Sequence, residues 1–333
     1  MKKGVLLVNL GSPDSPSVKD VRKYLSQFLN DPSVIDINPI ARFFLVNFII
    51  VPFRAKKSAK LYEHIWRIEG SPLITHSVKQ KKLLEKLLGN NYVVELGMRY
   101  QNPSIESAFK KLVKQKVESI VVVPLYPQWA SSSTESSILE VKRIAKKIGL
   151  TNLKFIEKFY DNEDYLNSLV DVAGKYNMND YDCFVFSYHG LPERQITKVY
   201  PNRCEINDNC CSSISEKNKF CYRAACYFTT RELIKRLSIP EGKYISSFQS
   251  RLDDKWLKPY SDKVVEQLAK DGKKKILVFS PAFVADCLET IYEIGVDYEH
   301  IFKQNGGEKL QLVESLNENP KWIEALKNMV LAS

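Results

Sequence analysis

Short unbroken apolar runs alternate along this chain with stretches whose apolar residues recur every three or four positions. The first kind reads as buried parallel strands and the second as helices packed on a sheet. Strands are predicted over residues 4–10, 92–97, 119–125, 153–156, 182–187, 244–248 and 276–279. Helices are predicted over 17–29, 104–117, 163–176, 227–237, 260–271 and 320–330, with another running from Ser71-Pro72 to Leu88. Strands alternating with helices imply a parallel sheet covered on both faces. The pattern runs through residue 150 and then restarts. An α/β protein of two halves, 1–150 and 151–333, is therefore expected, the last helix packing back on the first half.

One apolar stretch does not fit the strand pattern. Residues 39–53 carry Ile40, Phe43, Phe44, Leu45, Val46, Phe48, Ile49, Ile50, Val51 and Phe53, followed by Arg54, Lys56, Lys57 and Lys60. A bilayer span needs roughly 20 apolar residues, and this run is shorter. It reads either as a buried core helix or as an apolar lip that touches lipid or a large flat apolar ligand. The basic cluster behind such a lip would face phosphate head groups.

The most suggestive strand end is Phe184-Val185-Phe186-Ser187-Tyr188-His189-Gly190-Leu191-Pro192. Gly190 and Pro192 stop the strand, which leaves His189 at its carboxyl end, where ligand crevices form in open α/β sheets. Its imidazole suits a base or a metal ligand. After the last predicted strand comes Asp286, then Glu289, Glu293 and Asp297 at intervals of four. On an α-helix these carboxylates share one face and repel, so the ladder is either a solvated surface or a path for protons or a divalent metal. If both strand ends border one crevice, His189 and Glu289 face each other, a pairing suited to proton abstraction and to transient handling of iron(II).

Composition narrows the reading. A net charge of +10 favours carboxylate-bearing or membrane partners over nucleic acid, because the basic residues are spread along the chain. Met1-Lys2-Lys3-Gly4 runs straight into strand residues with no signal-peptide pattern, so a cytoplasmic location is expected. Five of the 7 cysteines, Cys204, Cys210, Cys211, Cys221 and Cys226, are gathered as C-x5-C-C-x9-C-x4-C in a polar segment read as a loop. Four thiolates suit an iron–sulfur cluster or a structural zinc, and one of the five is spare. Cys183 and Cys287 stand apart and read as ordinary buried residues. A zinc-dependent nucleic-acid binder is disfavoured, since only Lys217, Lys219, Tyr222 and Arg223 flank the cysteines.

These residues collectively resemble the ferrochelatase family, in its bacterial form with an internal cysteine cluster. The resemblance covers nearly the whole chain. It is carried by Val8-Asn9-Leu10-Gly11, Lys60-Leu61-Tyr62, Gly70-Ser71-Pro72-Leu73, Arg99-Tyr100 and Pro124-Leu125-Tyr126-Pro127-Gln128. The second half adds the His189 stretch, Tyr200-Pro201, Gln249-Ser250-Arg251, Trp256-Leu257, Pro259-Tyr260 and Ala285-Asp286-Cys287-Leu288-Glu289-Thr290. Two features depart from other members. Cys287 stands where animal and fungal members carry a histidine, and the cysteine segment is inserted before Thr229-Thr230-Arg231.

The resemblance implies two similar Rossmann-like halves of the class II chelatase type, with a porphyrin held in the cleft between them. It implies insertion of iron(II) into protoporphyrin IX, the last step of haem synthesis. His189 and Glu289 would form the proton and metal site, and Glu293 and Asp297 would extend it as an acidic path. Tyr62, Arg99, Tyr126, Trp129, Ser131, Ser132 and Tyr188 are the expected substrate contacts. Four of the five clustered cysteines would hold a [2Fe-2S] cluster. The apolar lip would cover the macrocycle, and the basic residues near it would meet the propionates or make peripheral contact with the cytoplasmic membrane. A coproporphyrin or cobalt chelatase, and a non-catalytic haem or porphyrin carrier, are the alternatives.

Overall fold

The computed structural model describes residues 2–201, 204–207 and 209–333. It divides into two compact units, one running through Glu157 and including Ile323–Ser333, the other spanning Lys158–Trp322.

The first unit holds four parallel strands, β1 (Lys3–Asn9), β2 (Tyr92–Met98), β3 (Ile120–Pro124) and β4 (Leu153–Phe155), in the order β2-β1-β3-β4. Its helices are α1 (Val18–Leu29), α2 (Pro39–Phe44), α3 (Val51–Ile65), α4 (Pro72–Leu88), α5 (Ile105–Lys114) and α6 (Ser136–Lys147). Ser17 caps α1 by accepting the Asp20 amide, and Ser104 caps α5 by accepting that of Ser107. One core layer joins Leu6, Val8 and Val122 of the sheet to Phe109 and Leu112 of α5 and Val141 and Ile144 of α6. Gly11, at φ +109°, follows β1 where a Cβ would lie 2.0 Å from the Tyr100 carbonyl oxygen, so only glycine lets these strand ends meet.

The second unit repeats the plan with β5 (Cys183–His189), β6 (Tyr244–Gln249), β7 (Lys275–Phe279) and β8 (Lys309–Leu312), ordered β6-β5-β7-β8 and again all parallel. Its helices are α7 (Glu163–Ala173), α8 (Glu193–Val199), α9 (Tyr222–Arg236), α10 (Ser261–Lys270) and α11 (Glu299–Gln304). The final helix, α12 (Pro320–Leu331), belongs to the first unit from Ile323 onward. Val185, Ile276, Val278, Val265, Leu268 and Phe302 form the core on one face of this second sheet.

Three findings bear on function. Of the two readings of the run 39–53 the exposed one fits: α2, a π-helical turn over Leu45–Ile50 and the start of α3 bury Val46 and Val51 but leave Ile40, Phe43, Phe44, Phe48, Ile49 and Phe53 each more than half exposed. The acidic ladder stands on a π-helix, Glu289–Tyr298, whose backbone bonds span five residues instead of four. Finally, α9 begins at Tyr222, five residues before the expected start, so Cys226 lies on a buried helical face and not in a loop. Among the described residues, no helix is long and apolar enough to cross a membrane.

Candidate active site and cysteine loop

His189 is the last residue of β5, in register with Gln249 at the end of β6. The peptide that follows it is pinned at both ends. Its carbonyl accepts the Tyr222 hydroxyl at 2.8 Å, and its N–H, on Gly190, donates to the Gln249 carbonyl at 2.7 Å. A Cβ at Gly190 would sit 2.7 Å from that same carbonyl, which is why glycine stands there. His189 Nδ1 lies 2.6 Å from the Gly190 carbonyl oxygen. A carbonyl only accepts, so Nδ1 carries a proton, and Nε2 is the nitrogen left to exchange one. The imidazole is half-buried, with the Trp256 and Phe283 rings 6.4 and 6.5 Å away between centroids.

Glu289 opens the π-helix and is half-buried. Gln249 connects it to the end of β5, because its Nε2 donates to the Glu289 carbonyl at 3.0 Å while its Oε1 accepts the Ser187 hydroxyl at 2.8 Å. Gln249 was no candidate from the sequence, where only its adjacency to Ser250-Arg251 stood out. A glutamine buried to 1% exposure at a strand's carboxyl end becomes meaningful only once its partners are known.

The acidic ladder is thus less uniform than its spacing suggests. Glu293 has both carboxylate oxygens committed: Gln249 Nε2 (3.1 Å), the Ser250 amide (2.8 Å), the Ser250 hydroxyl and the Tyr298 hydroxyl (2.9 Å) all donate to it. Burial, and then the Glu293 charge, push the Tyr298 hydroxyl well above its ordinary pKa. Asp297 is exposed on the outer turn, against Tyr292. Asp286 is not part of the stripe at all. It precedes the helix, is buried, and accepts bonds from the Ser315 amide, the Asn317 side chain and the Thr290 hydroxyl. Cys287 beside it is buried, which raises its thiol pKa, as does the charge of Glu289.

The expected substrate residues of the first unit fall into two groups. Arg99 lines an open cavity of about 560 Å³ with Ser26, Gln27, Asp31, Arg42 and Phe43. It pairs with the buried Asp31, which also accepts the Ser136 hydroxyl at 2.6 Å and the Tyr100 hydroxyl at 2.9 Å. Burial works against the Asp31 charge, yet the bond from Ser136 and the Arg99 guanidinium together hold its carboxyl below the ordinary value. Tyr126, Trp129, Ser131 and Ser132 follow the end of β3, the serines on a π-helical turn over Ser131–Glu135, and all four are half-buried. The Tyr126 hydroxyl meets Ser137 at 3.3 Å.

Two expected contacts are corrected. Tyr62 is buried, edge-on to Tyr24 and Trp66. Tyr188 is fully buried with its hydroxyl 2.9 Å from Thr230 of α9, so its ring seats a helix and is not offered to a ligand. Alternation explains it, since Tyr188 points to the face opposite that of its neighbours Ser187 and His189.

The cysteine segment touches itself in pairs. Cys210 and Cys211 sulfurs are 3.6 Å apart, the Cys204 thiol bonds to Cys210, and Cys211 donates to Cys221, the residue that caps α9. That bond, with the Ala224 amide at the helix start, draws the Cys221 thiol below its ordinary value against the cost of burial. The buried Arg223 bonds to Cys211 and to the Asn207 carbonyl, which puts a cation beside the thiols. Cys226, fully buried, meets the Tyr222 hydroxyl. Among the described residues no three His, Cys, Asp or Glu side chains converge closely enough to hold a metal ion. The donor set itself, thiols in mutual contact with a cation beside them, fits a thiolate-bound iron–sulfur group.

Comparison with known proteins shows the family. The family model described as Ferrochelatase matches residues 2–333. Ferrochelatases of Coxiella burnetii (43% identical, covering 100% of this chain and 94% of theirs) and Pseudomonas fluorescens (46%, covering 98% and 96%) are similar along their length. So is that of Bdellovibrio bacteriovorus, at 40% identity over 99% of this chain and 98% of its own. Among solved structures, SirB from Bacillus subtilis with Fe3+ shares the fold at a TM-score of 0.53 and 15% identity, over 99% of this chain and 95% of that one. With full-length relatives at this identity and a family model spanning both α/β units, the chain belongs to the ferrochelatase family.

Proposed function

We propose that this enzyme inserts iron(II) into protoporphyrin with His189 and Glu289 as its reacting side chains. The observation that carries the assignment is the seating of the His189 ring: Nδ1 is committed to the Gly190 carbonyl, which leaves Nε2 of a half-buried ring for proton transfer. Metallation of a porphyrin releases two pyrrole protons, and an imidazole is the side chain best matched to accept them near neutral pH. The carboxylate of Glu289 supplies a hard oxygen ligand for ferrous iron on its way to the ring. Glu293 serves as an anchor, since four donated bonds occupy its oxygens. Asp297, exposed at the outer end of the π-helix, is its solvent-facing terminus.

In the first unit, Arg99 with the half-buried Tyr126, Trp129, Ser131 and Ser132 is assigned to substrate binding, the guanidinium suiting a porphyrin carboxylate. The exposed aromatic face of α2 and its π-helical turn, backed by Arg54, Lys56, Lys57 and Lys60, is assigned to peripheral contact with an anionic membrane. Cys204, Cys210, Cys211 and Cys221 are assigned as ligands of a [2Fe-2S] cluster, with Cys226 as the spare thiol, because those four sulfurs touch in succession while Cys226 faces Tyr222. Such a cluster supplies one-electron chemistry and a covalent tie within the loop.

The decisive experiment is anaerobic iron insertion by the full chain with His189→Ala and Glu289→Gln variants. A loss of 100-fold or more in kcat with near-native circular dichroism is expected for His189→Ala. Wild-type turnover in that variant would remove His189 from the mechanism.

A further inference from the structure

The cysteine segment and His189 are joined by one side chain. Tyr222 is the first residue of α9, directly after the Cys221 cap, and is 6% exposed. Its hydroxyl donates to the His189 carbonyl at 2.8 Å and also meets the Cys226 thiol. The bonded carbonyl belongs to His189, the last residue paired in the β5–β6 ladder, and it takes its donor from a helix outside the sheet. The same peptide's N–H is held by Gln249, and the carbonyl one residue on receives His189 Nδ1. Rotating the 189–190 peptide would therefore break its two contacts and displace Gly190, whose carbonyl orients the imidazole.

The rest of α9 is tied to the same two places. Arg223 bonds to Cys211 and the Asn207 carbonyl in the cysteine segment, and Thr230 holds the Tyr188 hydroxyl next to His189. Just before the helix, the Lys219 carbonyl and the Phe220 amide are bonded by the Tyr160 and Tyr200 hydroxyls. The start of α9 is thereby held by the cysteine segment on one side and by the β5 terminus on the other.

We propose that Tyr222 is a positioning residue that transmits the state of the cysteine segment to His189. Anchoring Cys211 and Cys221 sets the start of α9, and the Tyr222 hydroxyl passes that position to the peptide that orients the imidazole. The proposal rests on the assignments of His189 to proton transfer and of the cysteines to a metal group. It gives the inserted segment a purpose that neither assignment supplies alone.

The test uses the full chain purified without oxygen, as wild type, Tyr222→Phe, Cys211→Ser and the double variant. Tyr222→Phe keeps the ring and removes the hydroxyl. It is expected to lower kcat about tenfold with KM for the porphyrin within twofold, while iron content and visible absorption stay at wild-type levels. Because the chain has 4 histidines, 15N-labelled imidazole resonances are few enough to follow. The His189 pair is expected to shift in both Tyr222→Phe and Cys211→Ser. The double variant should be no slower than the slower single variant. A Tyr222→Phe enzyme with wild-type kcat and an unmoved His189 resonance overturns the proposal, as do losses that multiply in the double variant. A wild-type protein without loop metal refutes the cluster assignment alone, because the Tyr222→Phe effect on kcat and resonance is read independently of it.

Discussion

Replacing Gln249 with leucine tests whether the active site is held together where the two strand ends and the π-helix meet. The amide makes three bonds at 1% exposure: it accepts from Ser187 at 2.8 Å and donates to the Glu289 carbonyl at 3.0 Å and to Glu293 at 3.1 Å. Leucine fills most of the volume but satisfies none of these partners. Ser187 retains Ser261 at 2.8 Å and Glu293 retains Ser250 and Tyr298, so their losses are partial. The Glu289 carbonyl loses its side-chain donor inside a π-helix. A stranded buried acceptor costs about 1–3 kcal/mol and a bond to a charged group about 1.5–3 kcal/mol, so roughly 2–4 kcal/mol in total is expected. For a unit of this size that corresponds to about 5–15 °C in Tm. Differential scanning calorimetry measures the stability loss, and anaerobic metal insertion measures function. A tenfold or greater fall in kcat with unchanged porphyrin KM is expected if Glu289 handles the metal as proposed, because its backbone loses the Gln249 bond while the residues of the first unit are untouched. Gln249→Leu with kcat near wild type and a Tm within 1 °C would refute the network.

Other outcomes follow from single contacts. Asp31→Asn removes the buried partner of Arg99 and should cost about 3 kcal/mol at pH 7, read by urea denaturation. The Asp31 pKa is depressed in the folded state, so its contribution is complete above the unfolded value and fades as the pH falls below about 4. The gap between wild type and variant should close in acid, and a constant gap would contradict the assignment. Cys226→Ala should keep the iron and sulfide content of the purified protein, while Cys204→Ala, Cys210→Ala, Cys211→Ala and Cys221→Ala should each lose it; metal analysis decides. Phe44→Glu with Phe53→Glu should abolish co-sedimentation with phosphatidylserine vesicles and leave Tm unchanged, since both rings are already in solvent at 56% and 82% exposure.

Much of the architecture was legible in the pattern of apolar runs. Seven of the eight strands are predicted to within two residues at each end, because parallel strands buried on both faces carry a continuous apolar signal. The exception is β8, where Lys309-Leu310-Gln311-Leu312 at the sheet's edge looks like surface. The π-helices could not be read at all. Their residues have ordinary helical composition, and the extra residue per turn is decided by what the side chains meet, as Glu293 meets Ser250 and Tyr298. The apolar run at 39–53 was ambiguous for a related reason: hydrophobicity marks what avoids water, and only packing says whether protein covers it.

By itself, then, the sequence determined the two α/β repeats, the strand-end position of His189, the gathering of cysteines and the family, since each is a local or ordered pattern of residue types. Tertiary structure alone decided that both Glu293 oxygens accept bonds, that Asp286 and Tyr188 face inward, and that Gln249 and Tyr222 grip the peptide beside His189. Most of these placements depend on hydrogen bonds between residues 29 to 62 positions apart, and a linear chain carries no record of which distant groups its folding will bring together.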